Sequence, residues 1–240
     1  MKILALETSC DETALAVVES TAPGEFTILG EALYSQAAKH AAFGGVYPNL
    51  AKREHQENLV PLTGEALKQA GMLLPSKEKI TVYGNFSEVR DEAFSNAIQT
   101  FLQETHRPDI DLIAVTSGPG LEPALWTGVS FAGALGEAWN IPVVGIDHME
   151  GHIVSGLVRK DGATYRLTET ALPVLALLIS GGHTELVLMR EWFQYELVGR
   201  TRDDAVGEAY DKVARLLTMP YPGGPEIERA ARRARERGFS

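Results

Sequence analysis

The sequence predicts an α/β fold made of two duplicated lobes, of which the second is incomplete. Strand patterns alternate with helix patterns between residues 108 and 156, which is typical of a mainly parallel sheet, and a strand meander precedes them. The meander recurs later in the chain and indicates a second copy of the same unit. We therefore predict a first lobe over residues 1–160, a connection over 161–172 and a partial second lobe over 173–240.

Composition places the chain among ordinary globular proteins. Its 240 residues are 45% hydrophobic and 22% charged, enough for one large or two smaller domains. The apolar run after Lys2 ends at Glu7, which is too short for a signal sequence, and no stretch approaches a membrane span. The single cysteine, Cys10, excludes an internal disulfide framework and favours the cytoplasm. The net charge of −10 argues against broad electrostatic binding of nucleic acid, although local patches stay possible.

The first lobe begins with three predicted strands. Residues 2–18 contain two apolar runs around a polar turn at Ser9–Glu12, and a third apolar run follows at residues 26–34. A helix is predicted from about Pro48 to Ala70, where Gly71 ends it.

An insertion of unknown purpose is predicted at about residues 75–108. Residues 75–85 resemble a strand, whereas residues 88–108 place four apolar side chains on one face of a helix, namely Phe94, Ile98, Phe101 and Leu102. A buried strand then begins at Asp111 and ends in the turn Gly118-Pro119-Gly120. A helix over 122–140, a strand over 141–146 and a helix from Asp147 follow.

The second lobe repeats the start of the first at an offset of 171 residues. The matched pairs are Leu4 with Leu175, Ala5 with Ala176, Leu6 with Leu177, Ser9 with Ser180, Thr13 with Thr184 and Leu15 with Leu186. The third strand recurs at residues 195–201, and a helix is predicted from about Asp204 to Leu217. Two related lobes that face each other would place both hairpin turns on one cleft.

His148 and His152 are candidate metal ligands. If the segment from Asp147 is helical, the two side chains lie one turn apart on one face, within reach of a single metal ion. The pair resembles part of the zinc-protease motif, but Glu150 would point to the far side of the helix, which disfavours a metalloprotease. A histidine pair that caps a helix or hydrogen-bonds at the surface is the alternative, and the motif by itself does not decide between them.

The turn Ser180–Thr184 has the features of a phosphate-binding turn. Gly181 and Gly182 let backbone N–H groups approach an anion, and the hydroxyls of Ser180 and Thr184 add donors. Most glycine turns only reverse the chain, but the matching serine and threonine of the first hairpin strengthen the case. We therefore predict a phosphate site at this turn.

Seven segments in order carry a resemblance to a known family: ETSCDETA from residue 7, VYPNLAKREHQENL from 46, TSGPGL from 116, HMEGH from 148, ISGGHTEL from 179, DDAVGEAYDKVARLL from 203 and YPGGP from 221. With these segments the chain resembles the tRNA N6-adenosine threonylcarbamoyltransferases, formerly described as O-sialoglycoprotein endopeptidases. The resemblance covers nearly the whole chain apart from residues 75–108, and it implies the actin/hexokinase/Hsp70-like ATPase fold.

The resemblance implies an acyltransferase that acts on tRNA. Its reaction would move a threonylcarbamoyl group from threonylcarbamoyl-adenylate to N6 of the adenosine next to the anticodon, in tRNAs that read codons beginning with A. Its other implied partners are a paralogous dimerisation subunit and a small ATPase, with no membrane involved.

The resemblance also implies site residues. One divalent metal ion, iron or zinc, would be held by His148 and His152, and the turn with Asp11 and Glu12 would face the reacting centre. Asp11 would orient or deprotonate the amine, unless it only caps the turn. The adenylate-binding positions fall on Leu178, Ile179, Ser180, Gly181, Gly182, Asp211 and Gly224.

One departure from the family bears on activity. The family's remaining metal ligand is an aspartate from the C-terminal part of the second lobe, and it has no counterpart among these 240 residues. Because two histidines alone make a weak site, we expect the metal to be weakly held or absent. The activity of this shortened chain alone therefore stays open, and the alternative is a non-catalytic nucleotide-binding or dimerisation subunit of the same modification complex.

Two further expectations concern single side chains. Cys10 is expected to be a small packed residue and no nucleophile, because nothing near it in sequence would form its thiolate. Arg53 and His55 lie in a predicted helix that could face tRNA.

Overall fold

The computed structural model describes residues 1–84 and 86–239, which divide into two compact units. Unit 1 comprises Met1–Gln36 and Tyr47–Thr168, and unit 2 comprises Ala37–Val46 and the chain from Glu169 onward. The two units are described separately. Within the described residues, no helix has the length and apolar character needed to cross a membrane.

Among the described residues, unit 1 contains seven strands and four of the seven helices. The strands are β1 (Lys2–Glu7), β2 (Glu12–Ala22), β3 (Glu25–Ser35), β4 (Leu112–Gly118), β5 (Val143–Asp147), β6 (Val158–Asp161) and β7 (Thr164–Leu167). The helices of the whole described chain are α1 (Ala37–Ala41, in unit 2), α2 (Pro48–Gln69), α3 (Glu92–Glu104), α4 (Glu122–Trp139), α5 (His148–Gly156), α6 (Val206–Leu216) and α7 (Gly223–Glu236), the last two also in unit 2.

The sheet of unit 1 has the strand order β5-β4-β1-β2-β3-β7-β6. Strand β4 pairs parallel with both β1 and β5, and all other neighbours are antiparallel. The prediction of a mainly parallel sheet is therefore wrong. The meander β1–β3 extends the sheet beyond β1, and the hairpin β6–β7 is added at the outer edge of β3. Strands joined by tight hairpins are antiparallel, so these additions outnumber the parallel pairs.

The predicted helices and the meander of the first lobe are confirmed, with one error in the 75–85 segment. Residues 76–84 form no strand, and Asn85 lies outside the described residues. The backbone of Ser76 and Ile80 instead donates to carbonyls of Glu104 and Gln103 at the end of α3, so the segment follows that helix and pairs with no strand of the sheet. The helix beside it is confirmed, and Phe94, Ile98 and Leu102 on its inner face are buried.

Helices α2 and α4 cover one face of the sheet and complete the core of unit 1. Leu4 and Leu15 on adjacent strands are fully buried, as are Leu59 of α2 and Phe131 of α4. These side chains hold the meander against the helices. Burial of each contributes roughly 1.5–3 kcal/mol to the free energy of unfolding. The polar turn between β1 and β2 is thereby held at the end of a rigid layer.

Unit 2 contains a three-stranded antiparallel sheet with the order β10-β9-β8, formed by β8 (Val174–Ile179), β9 (Thr184–Glu191) and β10 (Gln194–Arg200). Its first hairpin has the register of the first hairpin in unit 1. Leu4 pairs with Val17, and their equivalents Leu175 and Leu188 also pair. The predicted internal repeat is therefore present in the strand pairing as well as in the sequence.

Candidate functional site

The ends of three neighbouring strands in unit 1 bring together the polar residues of the candidate site. Strands β1, β4 and β5 run parallel, so their carboxyl ends meet at one edge of the sheet, which is where α/β folds bind ligands. Glu7 ends β1, Thr116 lies near the end of β4, and β5 leads into His148. Side chains from three separate segments are thus placed next to one another.

The histidine helix begins where the sequence predicts. Asp147 caps α5, because its Oδ1 accepts hydrogen bonds from the backbone N–H groups of Met149 and Glu150 at 2.8 and 2.9 Å. His148 and His152 then lie one turn apart with their Nε2 atoms 3.0 Å from each other. The prediction that both side chains lie on one helical face is confirmed.

Glu7 contacts His148 at Nδ1, whereas His152 contacts it at Nε2. Its Oε2 lies 3.3 Å from His148 Nδ1 and accepts a 2.5 Å hydrogen bond from the Thr116 hydroxyl, while its Oε1 accepts from the Ser9 backbone N–H at 2.5 Å. Burial by itself would raise the pKa of Glu7, but the hydrogen bonds from His148, Ser9 and Thr116 outweigh it and lower the pKa to about 2. The hydrogen bond to Glu7 raises the pKa of His148 in turn.

The histidine pair has the donor set and spacing of two ligands to one metal ion. Two histidine nitrogens bound to zinc at about 2.0–2.1 Å in tetrahedral geometry lie roughly 3.3 Å apart, close to the 3.0 Å between these Nε2 atoms. A carboxylate on the remaining nitrogen of a ligating histidine is the usual way to orient the ring, and Glu7 takes that place on His148. Within the described residues no group of three or more metal-binding side chains is found. His148 and His152 can therefore serve as two metal ligands, with the Glu7 carboxylate orienting the His148 ring.

Because the pKa of Glu7 is lowered from 4.5 to about 2, its ionised form stabilises the metal-free fold above pH 4.5, and this contribution is lost as the pH falls from 4.5 to 2. The full shift corresponds to about 3 kcal/mol, which we reduce to about 2 kcal/mol because 34% of the side chain is exposed. Glu7→Gln is therefore expected to lower the free energy of unfolding by about 2 kcal/mol at pH 7, with the wild-type and variant values converging towards pH 2.

Urea unfolding across pH 2–7 tests this expectation. In a Trp192→Phe background the remaining tryptophans, Trp126 and Trp139, both belong to unit 1 and report its unfolding. Glu57→Gln on the exposed face of α2 is the matched control and should change the free energy by less than about 0.5 kcal/mol. A difference between Glu7→Gln and wild type that stays constant over the whole pH range would contradict the role given to the carboxylate.

The turn with Asp11 and Glu12 follows β1 directly. Asp11 is half-buried and Glu12 is exposed, and the carbonyl of Asp11 accepts from the backbone N–H of Gln36. Burial and the negative charge of Asp11 raise the pKa of the Cys10 thiol to about 12. A thiolate is therefore not available near neutral pH, in agreement with the expectation that Cys10 is no nucleophile.

The predicted phosphate turn of unit 2 is organised around Ser180. Its hydroxyl accepts from the backbone N–H groups of Gly182 and His183 at 3.3 and 2.9 Å. Helix α6 begins against this turn, because Gly207 donates its N–H to the Ser180 carbonyl and the Thr184 hydroxyl accepts from Val206. A Cβ on Gly207 would lie 2.5 Å from that carbonyl, so only glycine allows the contact. The positive end of a helix dipole thus lies beside the turn.

Asp211 and Gly224 lie where α6 meets α7. Asp211 Oδ1 accepts from the Gly223 backbone N–H at 2.7 Å, and its Oδ2 has no hydrogen bond within the described residues. A Cβ on Gly223 would lie 2.8 Å from both the Asp211 Cα and the Tyr210 carbonyl oxygen, so the two helices meet in direct backbone contact there. Gly224 has open space around its Cα. The half-buried Asp211 carboxylate and the half-buried Gly224 backbone therefore lie close to each other in the chain's helical corner. Leu178 and Ile179 end β8 just before the Ser180 turn.

Sequence reasoning missed two contributors and misplaced one. Glu7 and Thr116 lie in segments identified from the sequence, but neither was given a role. The position of Glu7 at the end of a strand, like the position of His148 after β5, is the signal that could have identified it. His55 lies on the expected helix, but its side chain cannot contact tRNA because it is fully buried against the turn at Cys10. Its neighbour Arg53 is exposed.

The family model described as "TsaD: tRNA N6-adenosine threonylcarbamoyltransferase" matches residues 27–82 and 87–240. A protein of this name from Bacillus thuringiensis (strain Al Hakam) is 44% identical over 229 residues, which is 95% of this chain and 54% of that protein. Its namesake from Bacillus subtilis (strain 168) is 41% identical over 236 residues, 98% of this chain and 55% of that protein. This chain thus spans about half the length of the curated relatives it matches.

Among solved structures, YeaZ from Pseudomonas aeruginosa overlaps 82% of this chain and 64% of its own, at 16% identity and a TM-score of 0.39. A TM-score of 0.39 is too low to support an inference about this protein. The sequence relatives are the stronger comparison, and the match to the family model runs through the larger part of residues 75–108.

Proposed function

This chain belongs to the tRNA N6-adenosine threonylcarbamoyltransferase family, and we propose that it transfers a threonylcarbamoyl group from threonylcarbamoyl-adenylate to N6 of the adenosine next to the anticodon, in tRNAs that read codons beginning with A. The expected α/β class is confirmed, and with the family comes the actin/hexokinase/Hsp70-like ATPase fold. The observation that carries the proposal is the histidine pair of α5, with its ring nitrogens 3.0 Å apart and Glu7 behind the first ring.

His148 and His152 are the residues of this chain that would hold a divalent metal ion, iron or zinc. The chemistry that such an ion supplies is to polarise the donor's oxygens and to offset negative charge on the leaving phosphate. Glu7 keeps the His148 ring in one orientation through Nδ1, so that Nε2 faces the site. Because the described residues provide only two such ligands in one group, weak metal binding by this chain alone is part of the proposal.

The adenylate would be bound by unit 2. The Ser180–Gly182 segment would hold its phosphate beside the start of α6, where the N–H groups of Gly182 and His183, which donate to the Ser180 hydroxyl in the free protein, would turn to the anion. Leu178 and Ile179 would flank the nucleotide. Asp211 has one carboxylate oxygen free to accept from a ribose hydroxyl, and Gly224 leaves room for the nucleoside. Whether the turns of the two units share one cleft stays a prediction.

The transfer itself needs no covalent intermediate, because the donor is already an activated acyl phosphate. The N6 amine attacks the carbamoyl carbon, a C–N bond forms, and the C–O bond to the phosphate breaks with AMP as the leaving group. The amine loses a proton in this step, and Asp11 or Glu12 after β1 would accept that proton. The other role open to these carboxylates is to orient the amine. The high pKa of Cys10 agrees with a reaction that uses no thiolate.

The proposal extends to partners and location. Beyond tRNA and the adenylate, we propose a paralogous dimerisation subunit and a small ATPase as partners, as the resemblance to the family implies. A tRNA substrate and a single cysteine agree with the cytoplasm.

A transfer assay tests the proposed activity. The chain is incubated with iron or zinc, a tRNA transcript and enzymatically made threonylcarbamoyl-adenylate, and the nucleosides are analysed by mass spectrometry. We expect N6-threonylcarbamoyladenosine with wild type and none with His148→Ala/His152→Ala. His106→Ala is the matched control, because this exposed histidine lies outside the site. Tight adenylate binding without product would instead point to a non-catalytic binding subunit.

A further inference from the structure

We propose that His55 is a positioning residue that fixes the turn at residues 8–11 between β1 and β2, and with it the carboxylates of Asp11 and of Glu12 at the start of β2, by bonding the turn's backbone at the Cys10 carbonyl. The inference rests on the proposed function for the purpose of the turn. The bonding itself is argued from unit 1 alone, and its test does not require activity.

His55 connects helix α2 with the first hairpin. The ring is fully buried, with Nδ1 2.7 Å from the Thr13 hydroxyl and Nε2 3.1 Å from the Cys10 carbonyl oxygen. The amide nitrogen of Gln36 lies 3.4 Å from the same Nδ1. Both ring nitrogens are therefore engaged, one by the start of β2 and the other by the turn before it.

These contacts define which nitrogen carries the hydrogen. A carbonyl oxygen can only accept, so Nε2 donates to Cys10. The Gln36 amide can only donate from its nitrogen, so Nδ1 accepts from it and from the Thr13 hydroxyl. The neutral ring thus bonds the buried Thr13 hydroxyl and the part-buried Cys10 carbonyl at the same time.

Two other segments complete the support of the turn. The Gln36 backbone N–H donates to the Asp11 carbonyl at 2.9 Å, and the Leu121 N–H at the start of α4 donates to the Ser9 carbonyl at 2.8 Å. Three successive carbonyls, of Ser9, Cys10 and Asp11, are therefore bound by α4, α2 and the end of β3. Only the contact to Cys10 comes from a side chain, so it is the one that a substitution can remove.

The consequence concerns the direction of the two carboxylates. A turn whose carbonyls are all bound cannot rotate its peptide planes freely, so the Asp11 and Glu12 side chains leave it in defined directions. Without the bond to Cys10, the middle peptide of the turn becomes free to rotate. His55 then acts on the reaction through the turn and does not touch the substrate.

The lone cysteine makes the turn directly measurable. Cys10 is the chain's only thiol, so its rate of labelling by 5,5′-dithiobis(2-nitrobenzoate) reports the order of this turn. His55→Asn retains a polar atom near the Nδ1 position but loses the reach to Cys10, and we expect labelling at least about tenfold faster than in wild type. His55→Gln retains a donor near the Nε2 position and should label within about 1.5-fold of wild type.

Controls separate local loosening from general unfolding. Thr63→Val changes another buried polar residue of α2, whose hydroxyl donates to the Leu59 carbonyl of the same helix, and should leave the rate unchanged. Labelling is followed in a series of low urea concentrations, where a rate that does not depend on urea excludes global unfolding. Should His55→Asn fail to fold, Thr13→Val removes the hydroxyl that orients the ring and should accelerate labelling about threefold.

The proposal is overturned if His55→Asn, or Thr13→Val in its place, labels at the wild-type rate. It is also overturned if His55→Asn and His55→Gln accelerate labelling equally, because the ring would then serve packing and not the bond to Cys10. A chain that shows the predicted labelling pattern but no threonylcarbamoyl transfer would support this inference and count against the proposed function.

Discussion

Alanine at either His148 or His152 is expected to reduce zinc or ferrous iron binding by at least about 100-fold. The two Nε2 atoms lie 3.0 Å apart, so one ion can bind both, and removal of one leaves a single neutral imidazole that cannot hold the ion. The wild-type site is expected to be weak, since no third ligand joins the pair within the described residues. Titration calorimetry with metal-free protein should therefore show a single weak site in wild type and no saturable site in either variant.

Two further variants make this experiment specific. Glu7→Gln keeps both ligands but weakens the acceptor on His148 Nδ1, and should lower metal affinity by about 10- to 100-fold. His106→Ala should leave affinity unchanged. If the single-histidine variants bound metal as wild type does, the pair would be a surface hydrogen-bonding motif, the alternative that the spacing alone could not exclude.

Gly30→Ala is expected to destabilise unit 1 by about 3 kcal/mol. A Cβ at this position would lie 2.2 Å from the Ala66 carbonyl oxygen and 2.9 Å from the Ala70 nitrogen, both in the backbone at the end of α2. Neither atom can move without shifting the helix from the sheet, and overpacking of this kind costs typically 1–3 kcal/mol or more. Because α2 also carries His55, the shift should loosen the turn after β1 as well.

Gly133→Ala is the matched control for this substitution. Gly133 lies on the exposed face of α4 with nothing within 4 Å of the added carbon, so alanine should stabilise the helix by roughly 0.5–1 kcal/mol. Both variants are measured by urea unfolding in the Trp192→Phe background. Equal effects of the two substitutions would mean that α2 does not pack on β3 as closely as described.

Much of the fold follows from local patterns. Apolar alternation predicted the meander, helix periodicity placed Phe94 and Ile98 on the inner face of α3, and Asp147 was identified as the start of the histidine helix. The repeat also proved sound, since equivalent residues of the two hairpins pair in the same register. The strand predicted at residues 76–84 is absent, because the backbone of Ser76 and Ile80 bonds the end of α3 and not a strand.

The sequence by itself determined which chemical groups this protein carries. The spacing of His148 and His152 follows from the helical period, and the glycines and serine of the Ser180 turn follow from what such a turn requires. The tertiary structure decided which groups meet. Glu7 and His148 are 141 residues apart in the chain but 3.3 Å apart in space, and Thr13 and His55 are joined across 42 residues. Such pairs depend on strand order and helix packing, which no local pattern encodes.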